Sequence, residues 1–301
     1  MRGRFIRYVG TVVMAVVLAG VGALPAAAHD DGNSGHRQHE YLALGDSVPF
    51  GFNPLLFADP TNPPEPAEFI GYPELAAPVL KLALTNASCP GQGSGGFRNV
   101  SSLNDNGCNA GRAAGALALH AAYPSTQSQL DYAVSFLRSH PRTRLVSLTL
   151  GANDFFMCQQ TTADQCAAPA EFAAVLKNYK QNLTKILTKI RKVYHGKIVA
   201  VTYYSIDYTD VAFTGLVAAL NDVTKKVFRK FHGRIADGFG AFAAAAASAG
   251  GDSCAAGLLI KLPTGKCDIH PSAVGAQLLA DTLVAAVRGP RSYSSNSSAT
   301  S

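Results

Sequence analysis

No pair of cysteines stands in a CxxC spacing and no HExxH occurs, so neither a structural zinc cage nor a zinc hydrolase helix is written into this chain. Paired carboxylates at helical spacing, the mark of a glycosidase, are also missing. So is the GxSxG elbow, because in GDSVP the second glycine is replaced by Pro49. After the first 28 residues no apolar run is long enough to span a bilayer. Charged residues make up only 15% of the chain, and removing the three leader arginines lowers the formal charge from +6 to +3. The lysines from 177 to 192 fall along one helix as a solvated face, so the charge predicts no nucleic-acid partner.

What is present begins with an export signal. Arg2, Arg4 and Arg7 precede an apolar run that closes on Ala26 and Ala28, the layout of a secretory signal peptide cleaved after Ala28. The alternative, an uncleaved anchor, would have to use a core from Val9 to Leu24 that is short and holds three glycines. Residues 29–39 are polar and histidine-rich and read as a flexible N-terminus, and 289–301 as a polar tail. Between them, 40–288 form one domain, expected to be monomeric. Six cysteines, at 89, 108, 158, 166, 254 and 267, fit an oxidising compartment; sequence alone leaves fifteen pairings open.

The organising stretch is Tyr41 to Gly51, YLALGDSVPFG. A short buried strand runs into a turn that lifts the Ser47 hydroxyl to the carboxyl end of the first strand, where α/β sheets place their ligands. The residues 53–69 hold five prolines and Leu55, Leu56 and Phe57. They read as an irregular loop whose apolar side chains either line an acyl pocket or anchor the loop. Helices are expected over 71–82, 127–138, 172–193, 211–231, 240–248 and 275–287, with Gly196 stopping the third. Strands are expected at 82–87, 144–150, 197–204 and 234–237. The apolar stripe from Phe172 to Val193 reads as core. Strands alternating with helices predict a parallel, flavodoxin-like sheet in a three-layer α/β sandwich. Gly91, Gly93 and Gly96 satisfy GxGxxG, but Cys89 and Pro90 precede them and no helical pattern follows, so the motif predicts no dinucleotide. Its glycines are read as allowing close backbone approach to a substrate.

Four segments in order, YLALGDSVPFG, NASCPGQGS (86–94), GAND (151–154) and DIHP (268–271), resemble the blocks of the GDSL, or SGNH, hydrolases, and they span 41–271. The resemblance implies a cofactor- and metal-independent serine esterase or lipase. Ser47 would be the nucleophile and His270 the base. The Ser47 N–H, the Gly91 N–H and the Asn153 amide would form the oxyanion hole. It also supports nearest-neighbour disulfides, as in actinobacterial lipases: Cys89 with Cys108, Cys158 with Cys166, Cys254 with Cys267. One departure stands out: Cys267 occupies the position three before the histidine where the family keeps its acid. Asp268 is left as a candidate orienter in competition with a backbone carbonyl, and Asp46 and Asp154 are assigned to fixing loops. The expected substrate is a small-molecule or lipid ester. Carbohydrate acetylesterase, or a non-catalytic secreted binding protein, is the alternative.

Overall fold

The computed structural model describes residues 38–289 except Pro60 and Leu117; the leader, most of the 29–39 segment and the tail after Gly289 lie outside the described residues. Strands β1 (Glu40–Gly45), β2 (Ala83–Asn86), β3 (Thr143–Thr149), β4 (Lys197–Val201) and β5 (Arg234–Ala236) form one sheet in the order β2-β1-β3-β4-β5. Every neighbouring pair in it is parallel. Leu42, Ala43 and Leu44 are wholly buried, as expected of a central parallel strand covered on both faces.

The helices are α1 (Ser47–Phe50), α2 (Tyr72–Leu80), α3 (Ser94–Arg98), α4 (Cys108–Ala113), α5 (Gln129–Ser139), α6 (Ala152–Thr161), α7 (Pro169–Arg191), α8 (Val211–Lys230), α9 (Gly238–Ala246) and α10 (Ala273–Arg288). Helices α2, α9 and α10 pack together on one side of the sheet, and α5, α7 and α8 on the other, which makes the three-layer sandwich. An antiparallel hairpin, β6 (Leu259–Lys261) with β7 (Cys267–Pro271), stands apart from the sheet.

Five features differ from the sequence expectation. The helix α7 ends at Arg191, well before Gly196, and Lys192 continues in helical geometry as its cap. A short helix, α3, begins inside the GxGxxG motif and includes its last glycine, Gly96. Residues 152–161, where no helix is expected, are helical, and the stretch between the expected helices at 240–248 and 275–287 contains the β6-β7 hairpin. Strand β4 closes at Val201, although Thr202 to Ser205 stay buried. Among the described residues, no helix is long and apolar enough to cross a membrane.

Candidate active site

The carboxyl ends of β1 and β3 lie side by side, with Gly45 paired to Thr149, so the turns after them share one edge of the sheet. Gly45 has φ +131°, and a Cβ there would fall 2.0 Å from the Thr149 carbonyl oxygen. No other residue lets the backbone pass so close to β3. Gln129, wholly buried, clasps the same glycine. Its Oε1 accepts from the Gly45 N–H at 2.6 Å, and its Nε2 donates to the Gly45 carbonyl at 3.0 Å.

Beyond this glycine, Asp46 caps α1 by accepting the Val48 N–H at 3.1 Å, which places Ser47 at the first helical position. Its hydroxyl lies 2.8 Å from His270 Nε2. The other ring nitrogen, Nδ1, is hydrogen-bonded to Asp268 Oδ1, and the same oxygen accepts the His270 backbone N–H at 2.9 Å. Burial opposes the charge on Asp268, but these bonds from His270 outweigh it and hold the carboxyl below its ordinary range. Of the two candidate orienters, the carboxylate is the one in contact. The hairpin strand β7 that carries both residues is tied to the body of the protein by Tyr204, whose hydroxyl donates to the Ile269 carbonyl at 2.7 Å.

Asn153 sits in the first turn of α6, after Gly151. Asn106 Nδ2 donates to its Oδ1 at 2.9 Å, and its Nδ2 donates to the Gln92 carbonyl at 3.3 Å. With the oxygen engaged, the second amide hydrogen is left for another acceptor. Among the bonds of the described residues, neither the Ser47 nor the Gly91 N–H has an acceptor. Gly91 does not border the cleft described below. Its close approach is made to the protein itself, since a Cβ there would meet the Asn106 carbonyl at 2.1 Å. Gly93 and Gly96 likewise press on Asn104 and Asp105. On the side where a Cβ would stand the glycines therefore pack loop on loop, while the Gly91 N–H stays without an acceptor.

Asp154 fastens that loop, accepting from the Ser94 N–H at 2.9 Å, the Ser94 hydroxyl at 2.5 Å and Asn104 Nδ2 at 2.8 Å. Its burial raises the carboxyl above the usual range in spite of these donors. All three nearest-neighbour disulfides are formed.

A cleft of about 150 Å³ opens beside Ser47, His270 and Asn153. Its walls are apolar, with Phe155 and Phe156 from α6, Phe172 and Val175 from α7, and Phe213, Leu216, Val217 and Leu220 from α8. Two sequence expectations change here. In the stripe on α7, Leu176 packs against the core and Tyr179, Leu183, Ile186, Leu187 and Ile190 are buried in it, whereas Phe172 and Val175 face the cleft. No described residue of 53–69 lines the cleft; Phe57 and Phe69 instead pack around Phe52, whose ring lies 5.0 Å from that of His270. The aromatic cluster sits beside the imidazole, while Leu55 and Phe57 stay partly exposed to solvent. The α8 wall was open to view in the sequence as apolar residues at 213, 216, 217 and 220, a helical stripe that runs past what the sheet can cover.

A serine, an imidazole and a carboxylate in series at the strand ends of a parallel sheet define a hydrolase. The model of the GDSL-like lipase/acylhydrolase family matches residues 43–278, and the chain belongs to that family. It is a carboxylic ester hydrolase. No curated protein sequence matches it. Among solved structures, the lipase Lip_vut3 from a goat rumen metagenome is similar in fold, with a TM-score of 0.53 at 13% identity, over 82% of this chain and 97% of that one. So is the acetylxylan esterase Axe2 from Geobacillus stearothermophilus, with a TM-score of 0.51 at 15% identity, over 84% of this chain and 95% of that one.

Proposed function

We propose that the protein is an exported, monomeric lipase-like esterase that hydrolyses acyl lipids through an acyl-enzyme on Ser47, without metal or cofactor. His270 Nε2 takes the hydroxyl proton as Ser47 Oγ attacks the ester carbonyl, and returns it to the departing alkoxide. A water then enters by the same route, its proton going to His270 and its oxygen to the acyl carbon, and Ser47 regains its hydrogen as the acid leaves. Asp268 keeps the Nδ1 hydrogen in place and favours the imidazolium that forms. The Ser47 and Gly91 N–H groups and Asn153 Nδ2 receive the oxyanion, each such donor contributing about 3 kcal/mol.

The observation that carries this reading is the 2.8 Å contact of Ser47 with His270 at an edge of an apolar cleft. Aromatic and aliphatic walls favour a hydrocarbon chain over a sugar, whose hydroxyls would be left without partners. Localisation outside the cell is supported by the leader sequence and by the three disulfides.

The test is hydrolysis of p-nitrophenyl esters from acetyl to palmitoyl, with Ser47→Ala run beside the wild type. A Ser47-dependent optimum at medium or long chains is expected. Activity restricted to acetyl would replace the lipid with acetylated carbohydrate, and undiminished turnover by Ser47→Ala would remove the serine mechanism.

A further inference from the structure

Beside Asp46, in the wall of the cleft, lies a phenol with no part in the chemistry above. Tyr203 follows β4, is 8% exposed, and borders the same cleft as Ser47 and Asn153. Its hydroxyl donates to Asp46 Oδ2 and accepts the Ala152 N–H at 3.2 Å. Asp46 immediately precedes the nucleophile, and Ala152 immediately precedes the oxyanion amide. Its own turn is set by Asn221, which accepts the Tyr203 N–H at 3.0 Å and donates to the Tyr203 carbonyl at 2.8 Å.

We propose that Tyr203 is a positioning residue whose single phenolic oxygen fixes the nucleophile turn and the oxyanion turn relative to one another. The inference rests on the assignment of Ser47 and Asn153 made above. The β1 and β3 turns are otherwise held to each other by backbone pairing that ends at Gly45 and Thr149 and by the Asp46 N–H bonded to the Thr149 carbonyl at 3.2 Å. Beyond those residues, the phenol supplies the bridge from a third strand. An error of about 1 Å between attacking oxygen and oxyanion donors costs about a hundredfold in rate, so a bond at this place acts on turnover rather than on binding.

The bond also governs charge. Asp46 is 1% exposed, and burial pushes its carboxyl up to about 6, with Tyr203 and the Val48 N–H pulling it down. The titratable groups facing it are His270, which favours its charged form, Asp154, which opposes it, and the phenols of Tyr72, Tyr179, Tyr203 and Tyr204. Removing the phenol hydrogen bond moves Asp46 protonation to higher pH. A negative Asp46 beside the imidazole supports the imidazolium of the transition state, and so the acid limb of activity should move with it.

The experiment compares Tyr203→Phe, Asp46→Asn and the double variant on p-nitrophenyl butyrate, reading kcat, KM, the pH profile of kcat/KM and the near-UV circular dichroism. Asp46→Asn retains an oxygen for the α1 cap. Tyr203→Phe is expected to lower kcat by about 10- to 100-fold with KM within about twofold, and to move the acid limb to higher pH. Asp46→Asn should move that limb to lower pH, because the group that protonates there is gone. The double variant should follow Asp46→Asn, with losses in kcat that do not add. A Tyr203→Phe enzyme with wild-type kcat and an unmoved acid limb would overturn the proposal, as would a loss confined to KM or fully additive losses. If Tyr203→Phe does not fold, an acid limb unmoved in Asp46→Asn is the overturning result. Loss of these effects in an enzyme that still dies with Ser47→Ala strikes the role of Tyr203 alone, whereas an active Ser47→Ala strikes the serine mechanism.

Discussion

At the scale of single residues, the carboxylate two positions before the histidine is the informative one. An extended strand returns its side chains to the same face every second residue, and in β7 the Asp268 oxygen bonds both the backbone and the ring of His270. Asp268→Asn is therefore expected to reduce kcat by about 10⁴-fold, since a neutral amide favours the wrong tautomer. A loss below tenfold would mean that a backbone group orients the ring. The residues proposed for the chemistry, Ser47, Asn153 and His270, drew attention in the sequence because each stands in a short block at or just past the end of a strand. Gln129 and Tyr203 did not, because a buried amide or phenol acquires its partner only when distant turns are folded together.

At the scale of elements, β1, β3 and β4 were readable because they are short apolar runs buried on both faces, and the long helices because their apolar residues recur with a regular period. The helix α6 was not. Its sequence, ANDFFMCQQT, offers no stripe facing the sheet, since Phe155 and Phe156 look into the cleft. Hydrophobicity does not distinguish a side chain that meets another helix from one that meets an empty cleft, which is why Phe172 and Val175 pass for core. The α6 wall is joined to the start of α7 by the Cys158–Cys166 bridge, and Phe155 meets Phe172 edge-on at 5.6 Å. Replacing both cysteines with serine should raise KM for long-chain esters severalfold and leave acetyl ester hydrolysis near wild type. The closed loop is short, so the expected stability loss is only about 2.5 kcal/mol. A chain-length profile identical to wild type would detach the bridge from the acyl site.

At the scale of the whole molecule, buried carboxyls set the response to pH. Burial raises Asp46 to about 6 and Glu74 to about 7, and Asp105 and Asp154 move the same way. Raised acids bind more protons folded than unfolded. Their stabilising contribution is complete below their ordinary values and is lost as pH rises through their folded ones. His120, lowered mainly by its burial, acts in the opposite sense, but alone against four. The urea midpoint should therefore fall between pH 5 and 7.5, with a shallower fall in Glu74→Gln. A midpoint that climbs over this range would contradict the burial of these groups.

Ser47 and His270 stand 223 residues apart in the chain, and the imidazole arrives on a hairpin outside the sheet. The five-stranded sheet, the α6–α8 wall of the cleft and Asn153 are all encoded by residue 236, so most of the architecture precedes His270 in the chain. On the roles proposed for Ser47 and His270, a chain that ends after β6 would hold its serine as an ordinary alcohol, with no imidazole to take its proton.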